Sequence, residues 1–155
     1  MNESIIIREY KKDFAPDFER LNRDWIETYF AIEKKDLEQM RNPQALIDGG
    51  GQIFFALDGD RVVGTAAAVR IEDGVYEIAK MAVDRERRSQ GIGRRLMDAA
   101  ERWIIAQGAR KILILTNSIL QPAVRLYESS GYTEVHRGPH PSYQRADLIF
   151  AKQVF

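Results

Sequence analysis

The spacing of apolar residues changes several times along this chain, and each change marks an element. Ile5-Ile6-Ile7-Arg8-Glu9 is short and β-branched and predicts a strand. Phe14, Phe18, Leu21, Trp25 and Tyr29 then recur at steps of three and four, which predicts a helix from Ala15 to Phe30 with one apolar face. Glu33 to Met40 predicts a shorter helix, and Asn42-Pro43 offers an N-cap and a first-turn proline for one more turn. Gly49-Gly50-Gly51 reads as a flexible break. Gln52 to Leu57 and Arg61 to Ile71 predict two strands of a hairpin, with Asp58-Gly59 as the turn pair at positive φ. Glu72-Asp73-Gly74 turns again, into a strand from Val75 to Val83.

Beyond that strand the period returns to a helical one. Ile92, Leu96, Ala99, Trp103 and Ala106 mark a helix from Gly91 to Gln107, and Gly108 ends it. Lys111 to Thr116 is a near-continuous apolar run, expected to be a strand buried on both faces. Pro122 suits the first turn of a helix running to Ser130, with Gly131 as its stop. Tyr132 to Arg137 and Ala146 to Val154 predict two last strands. This order of strands and helices predicts a mixed sheet with helices on its faces.

Composition narrows the class. A length of 155 residues suits one domain, residues 1–155, around one core. Lys plus Arg and Asp plus Glu are 23 each, so no global charge argues for nucleic acid or an anionic membrane. The absence of cysteine excludes disulfides, thiolate metal sites and a cysteine nucleophile. His136 and His140 have the spacing of a zinc pair on a helix, but Pro139 and Pro141 predict a loop, so no metal site is expected. With no signal-like start and no apolar run long enough to span a bilayer, no membrane partner is expected and the expected location is the cytoplasm.

Arg88-Ser89-Gln90-Gly91-Ile92-Gly93 follows a strand and opens a helix. A helix N-terminus carries unpaired amides and a partial positive charge, so it attracts phosphate. Gly91 and Gly93 carry no side chain to hold a pyrophosphate off those amides, and Arg88, Arg94 and Arg95 add positive charge. A dinucleotide fingerprint needs a small residue where Leu96 stands, and a P-loop needs a Gly-Lys-Ser/Thr triplet that the chain lacks.

The segment from Glu77 to Tyr132 resembles the GNAT N-acetyltransferase family. Glu77-Ile78-Ala79-Lys80-Met81-Ala82-Val83 looks like the family's fourth strand, and Arg88 to Gly93 fits its Arg/Gln-x-x-Gly-x-Gly/Ala signature. Leu115-Thr116-Asn117-Ser118, Pro122 to Glu128 and Gly131-Tyr132 look like the next strand, helix and turn. The resemblance implies an α/β fold with a mixed, mostly antiparallel central sheet flanked by helices on both faces. It implies acetyl-CoA as co-substrate, with the pantetheine arm along Met81, Ala82 and Val83 and the pyrophosphate on the amides from Gln90 to Arg94. It also implies an oxyanion donor near Met81, direct attack by a primary amine, and Tyr127 as the acid that protonates the departing thiolate.

Other candidates come from the residues themselves. Glu77 is the one carboxylate in an otherwise apolar strand and is the candidate general base; its alternative is a strand-end residue paired with Lys80 or an arginine. Asn117, at a strand's carboxyl end, is either a pantetheine or Tyr127 partner or a turn asparagine bonding its own backbone. Trp25, Glu27, Tyr29 and Glu33, with Asp24 and Asp36, form an aromatic and acidic region that suits a cationic amine, unless the aromatics simply face the core. The loop from His136 to Tyr143 is expected to border the same cleft. The acceptor is expected to be a small-molecule or peptide amine, and a homodimer is compatible with the chain. A non-catalytic acyl-CoA sensor is the alternative.

Overall fold

The computed structural model describes residues 4–140 and 145–155. The elements run β1 (Ile5–Glu9), α1 (Ala15–Tyr29), α2 (Lys34–Arg41), α3 (Pro43–Asp48), β2 (Gln52–Asp58), β3 (Arg61–Glu72) and β4 (Val75–Val83). They continue with α4 (Ile92–Ala106), β5 (Lys111–Thr116), α5 (Gln121–Ser129), β6 (Thr133–Arg137) and β7 (Leu148–Gln153). The seven strands form one sheet in the order β1-β2-β3-β4-β5-β7-β6. Short turns join β2 to β3 and β3 to β4, and those neighbours are antiparallel. The parallel pair is β4 and β5, whose connection contains α4, as a parallel neighbour requires.

Alternation along the strands builds a core on each face of the sheet. Phe54 and Ala56 of β2 point to the α4 side, while Ile53 and Phe55 point to the α1 side. On the first side Leu96, Met97 and Ile104 have no exposed surface; burying such a side chain contributes about 1.5–3 kcal/mol. On the second, Phe14, Phe18 and Leu21 pack on Phe55 and Val62. The thin middle of β3, Ala66-Ala67-Ala68, is divided between the two cores and leaves room for a helix on either face.

Three local expectations change. The β2–β3 turn is centred on Gly59-Asp60, because Asp58 pairs with Arg61, and Gly59 alone of the two has positive φ, as in a type II′ turn. The Gly49–Gly51 stretch is packed rather than loose: a Cβ on Gly51 would sit 2.3 Å from the Ala68 carbonyl oxygen. In β5, Ile112, Ile114 and Thr116 are buried, while Leu113 and Leu115 are only half-buried, and Leu115 lines a cleft that opens beside the strand's far end.

One irregularity governs that cleft. Thr65 pairs with Ala82 and Ala67 with Ala79, so Lys80 and Met81 together lie opposite Ala66. This β-bulge puts Lys80 at φ +52°. It also shifts the alternation: Ile78 and Met81, three apart, both pack on the α4 side, which an unbroken strand does not allow.

Candidate active site

β4 and β5 pair at Val75–Lys111, Tyr76–Ile112 and Glu77–Leu113, and no further. β4 continues along β3 to Val83, and β5 continues along β7 to Thr116. Beyond Glu77 the two strands therefore part within the sheet. The gap is walled by Glu77–Met81 on one side and Ile114–Asn117 on the other. Asn22, Trp25, Ile26 and Phe30 close it from the α1 side, and Tyr127, Leu120, Arg145 and Ala146 complete the lining.

At the end of β4 the chain turns through Arg85–Arg87 into the Arg88–Gly93 loop. Ser89 has φ +64° and Gly91 φ +81°, an alternation that turns successive backbone amides toward one concavity. The Arg95 amide makes the first bond of α4, to the Gly91 carbonyl, so the amides of Ile92, Gly93 and Arg94 have no partner among the described residues. Ile92 contributes only its backbone there, since its side chain is buried in the core. The Arg88 Nε donates to the Val83 carbonyl at 3.0 Å, while its Nη2 is buried with no hydrogen-bond partner among the described residues. Such an orphaned charged donor is unusual inside a protein and marks a place for an acceptor from outside it. Gly93 has no positive φ, and a Cβ built on it meets nothing within 4 Å. Nothing inside the protein requires glycine there; the space it leaves faces outward, beside the free amides. The Arg94 guanidinium turns aside to the Ser129 and Ser130 hydroxyls, at 2.8 and 3.3 Å. The residues present thus fit a pyrophosphate group.

Glu77 is half-buried in the cleft wall at the point where the strands part, and its carboxylate accepts no hydrogen bond among the described residues. Burial raises its pKa above the ordinary carboxylate value, against the opposing pull of the Lys80 and Lys35 ammonium groups. Tyr127 lines the opposite side of the cleft from α5 and packs its ring against Phe150. Burial pushes its phenol up to about 12, so the hydroxyl keeps its proton across the neutral range. That hydroxyl also has no hydrogen-bond partner among the described residues. Asn117 lines the cleft, but its Oδ1 accepts the Ile119 amide at 3.0 Å and its Nδ2 donates to the Arg145 carbonyl at 2.5 Å. It is a turn asparagine that pins the segment before β7, and its amide does not reach Tyr127.

The acidic region resolves into two parts. Trp25 lines the cleft and stacks with Tyr29 and Phe30 at 5.5 and 6.2 Å, while Tyr29 is 46% exposed and Glu27 is exposed outside the lining. Asp24 pairs with Arg85. Asp36 is completely buried: it accepts the Lys80 Nζ at 2.7 Å, both Arg145 Nη atoms at 2.5 Å and the Glu33 amide at 2.9 Å. Burial would raise its carboxyl, but the hydrogen bonds from Arg145 and Lys80 outweigh it and hold the pKa below the usual range. Glu33 joins through Arg145 at 3.3 Å. The carboxylates expected to greet a cationic acceptor are therefore largely occupied by cations of the chain itself. Arg145 was not legible in advance, because it lies in no periodic element; Lys80, the one cation in an otherwise largely apolar strand, carried the available signal. His136 lies in the exposed edge strand β6, and Pro141, Ser142 and Tyr143 of the expected loop lie outside the described residues.

Lys80 holds a backbone conformation that disfavours any side chain, at a cost of about 1–3 kcal/mol. Removing Asp36 altogether would take the shared carboxylate from between the buried Lys80 and Arg145 cations, a loss of about 3–5 kcal/mol.

A mixed sheet with one parting pair of strands, and a glycine-containing loop that opens a helix after the first of them, defines an acyl-CoA-type acyltransferase fold. The sequence profile of the acetyltransferase (GNAT) family matches residues 12–132, and the chain belongs to that family. Human N-acetylaspartate synthetase is 26% identical over 137 residues, covering 86% of this chain and 43% of its own length. The chain thus spans less than half of that relative. A GNAT-family acetyltransferase from Staphylococcus aureus superposes with a TM-score of 0.87 at 22% identity, covering 97% of this chain and 99% of its own. An acetyltransferase from Salmonella typhimurium, solved with acetyl-CoA, gives 0.82 at 15% identity, covering 98% and 95%. No helix among the described residues is long and apolar enough to cross a membrane.

Proposed function

We propose that the chain is an acetyl-CoA-dependent N-acetyltransferase that moves an acetyl group to a primary amine by direct attack. The observation that carries this reading is made in the Arg88–Gly93 loop: a buried Arg88 Nη2 with no hydrogen-bond partner among the described residues, and a Gly93 at which an added Cβ would meet nothing within 4 Å. Both are explained by a pyrophosphate, and the solved Salmonella structure holds a ligand with that group. When bound, acetyl-CoA supplies an activated acyl group on a thioester.

The chain's own residues supply the rest. The amides of Ile92, Gly93 and Arg94 hold the pyrophosphate against the positive end of α4. The edge of β4 from Met81 to Val83 offers backbone groups to the pantetheine arm. The Met81 amide, just after the bulge, donates to the acyl oxygen as negative charge develops there. Glu77, with its raised pKa, takes a proton from the incoming ammonium, directly or through water. Tyr127, protonated and without an internal partner, gives a proton to the departing sulfur. Relatives named for different acceptors match the chain, among them N-acetylaspartate synthetase and mycothiol acetyltransferase, so the acceptor is assigned here as a small-molecule or peptide amine.

The test is coenzyme A release from acetyl-CoA across a panel of amines, amino acids and peptides. Acceptor-dependent release supports the enzyme. Tight acetyl-CoA binding with no release for any acceptor would favour a sensor, which has no use for Glu77 and Tyr127.

A further inference from the structure

Lys80 is a β-bulge residue at φ +52°, a region that lysine does not favour, so something outside the backbone holds it there. Its ammonium lies 2.7 Å from Asp36, with both side chains almost wholly buried. Asp36 is in turn fixed from two other directions, by the Glu33 amide and by the fork of Arg145. The Arg145 carbonyl is held by Asn117 at the end of β5. The chain of contacts therefore ties the bulge of β4, the first turn of α2, the segment before β7 and the tip of β5, and Lys80, Arg145 and Asn117 of this set line the cleft.

We propose that this ion network is a positioning device: Asp36, through Lys80, holds the bulge in its left-handed conformation and so aims the Met81 amide into the cleft. Stability alone does not explain the network, since well-packed apolar residues generally serve a core as well as a buried ion pair does. A bulge re-aims the groups that follow it, and here the next amide is the one that the acyl-transfer reading assigns to the acyl oxygen. The aim of that amide is a property of the ligand-free protein; its use in the reaction rests on the acyl-transfer reading.

Two substitutions separate the backbone from the charge. Lys80→Gly and Lys80→Ala both remove the ammonium and leave Asp36 paired with Arg145. Glycine adopts positive φ freely, whereas alanine does not. In the ligand-free protein, Lys80→Gly keeps the amide resonance and hydrogen-exchange rate of Met81 close to the parent's, and Lys80→Ala displaces both. In turnover, kcat of the glycine variant stays within about threefold of the parent and that of the alanine variant falls about tenfold or more, toward the 10²–10³ typical of a lost oxyanion donor. Coenzyme A affinity, set at the Arg88–Gly93 loop, stays within about twofold in both. Asp36→Asn lowers kcat, and adding Lys80→Gly to it restores the rate. Equal losses in the glycine and alanine variants would overturn the proposal, because the ammonium rather than the backbone would then matter; so would two variants that both behave like the parent. If Asp36→Asn does not fold, the glycine and alanine pair decides alone. A parent protein that binds coenzyme A but acetylates nothing defeats the acyl-transfer reading, and the Met81 resonance still tests the latch.

Discussion

Glu77 faces Leu113 in the last paired position between β4 and β5, so the carboxylate stands where the sheet opens. A carboxylate at that depth is carried at a disadvantage. Its pKa is raised by burial, so the folded state binds its proton more tightly than the unfolded chain does. The contribution to stability is full below the unfolded-state pKa and is lost as pH rises through the folded one. Glu77→Gln is therefore expected to have a higher melting temperature than the parent at neutral pH, with the advantage shrinking as the solution is acidified through the carboxylate range. Parallel melting curves against pH check this.

The same substitution is expected to lower turnover, and more so at neutral pH than at alkaline pH, where the acceptor amine loses its proton unaided. Rates across that range decide it. A deficit equal at both ends would assign Glu77 to binding or structure.

Tyr127→Phe removes a hydroxyl that bonds to nothing among the described residues and keeps the ring against Phe150. The melting temperature is expected to stay near the parent's. Turnover is expected to fall to about the low end of the 10²–10⁴ range for general acid catalysis, since a coenzyme A thiolate leaves fairly well unprotonated. Full activity with a lowered melting temperature would make Tyr127 a packing residue.

Coenzyme A is expected to raise the melting temperature. A ligand at a hundred times its Kd adds about 2.7 kcal/mol, and each kcal/mol shifts a chain of this size by about 2–4 °C. No shift at millimolar ligand would count against the whole functional reading.

Gly91, at φ +81°, is strained by any side chain, so the informative position is Gly93. Gly93→Glu puts a better helix former and a negative charge into the first turn of α4, and is expected to stabilise the ligand-free protein by roughly 1 kcal/mol. It also sets a carboxylate where the pyrophosphate belongs, so coenzyme A affinity is expected to fall about tenfold or more, at least 1.4 kcal/mol. Calorimetric binding and melting on the same sample read the two opposite effects.

What could be read in the sequence is what depends on neighbours along the chain. Alternation and helical spacing placed the strands and helices, and Arg88 to Gly93 was visible because amides at a helix end need no distant help to attract phosphate. The hairpin centre moved by one residue because register, which pairs Asp58 with Arg61, is set across strands and not along one. The bulge at Lys80 left no mark, since lysine gives no hint of positive φ. The acidic region leaves a cation site and an ordinary solvated face both open in the sequence, because nothing in the order of residues brings Arg145 to Asp36.

Asp36 and Arg145 stand 109 positions apart, with most of the sheet strung between them. Closing so long a loop is entropically unfavourable until the intervening strands have already paired. The Asp36–Arg145 tie across the cleft is thus expected to close late in folding, once the strands between its two ends have paired. By the same reasoning it is among the first parts to come undone, so mild denaturant should silence this protein while its sheet still stands.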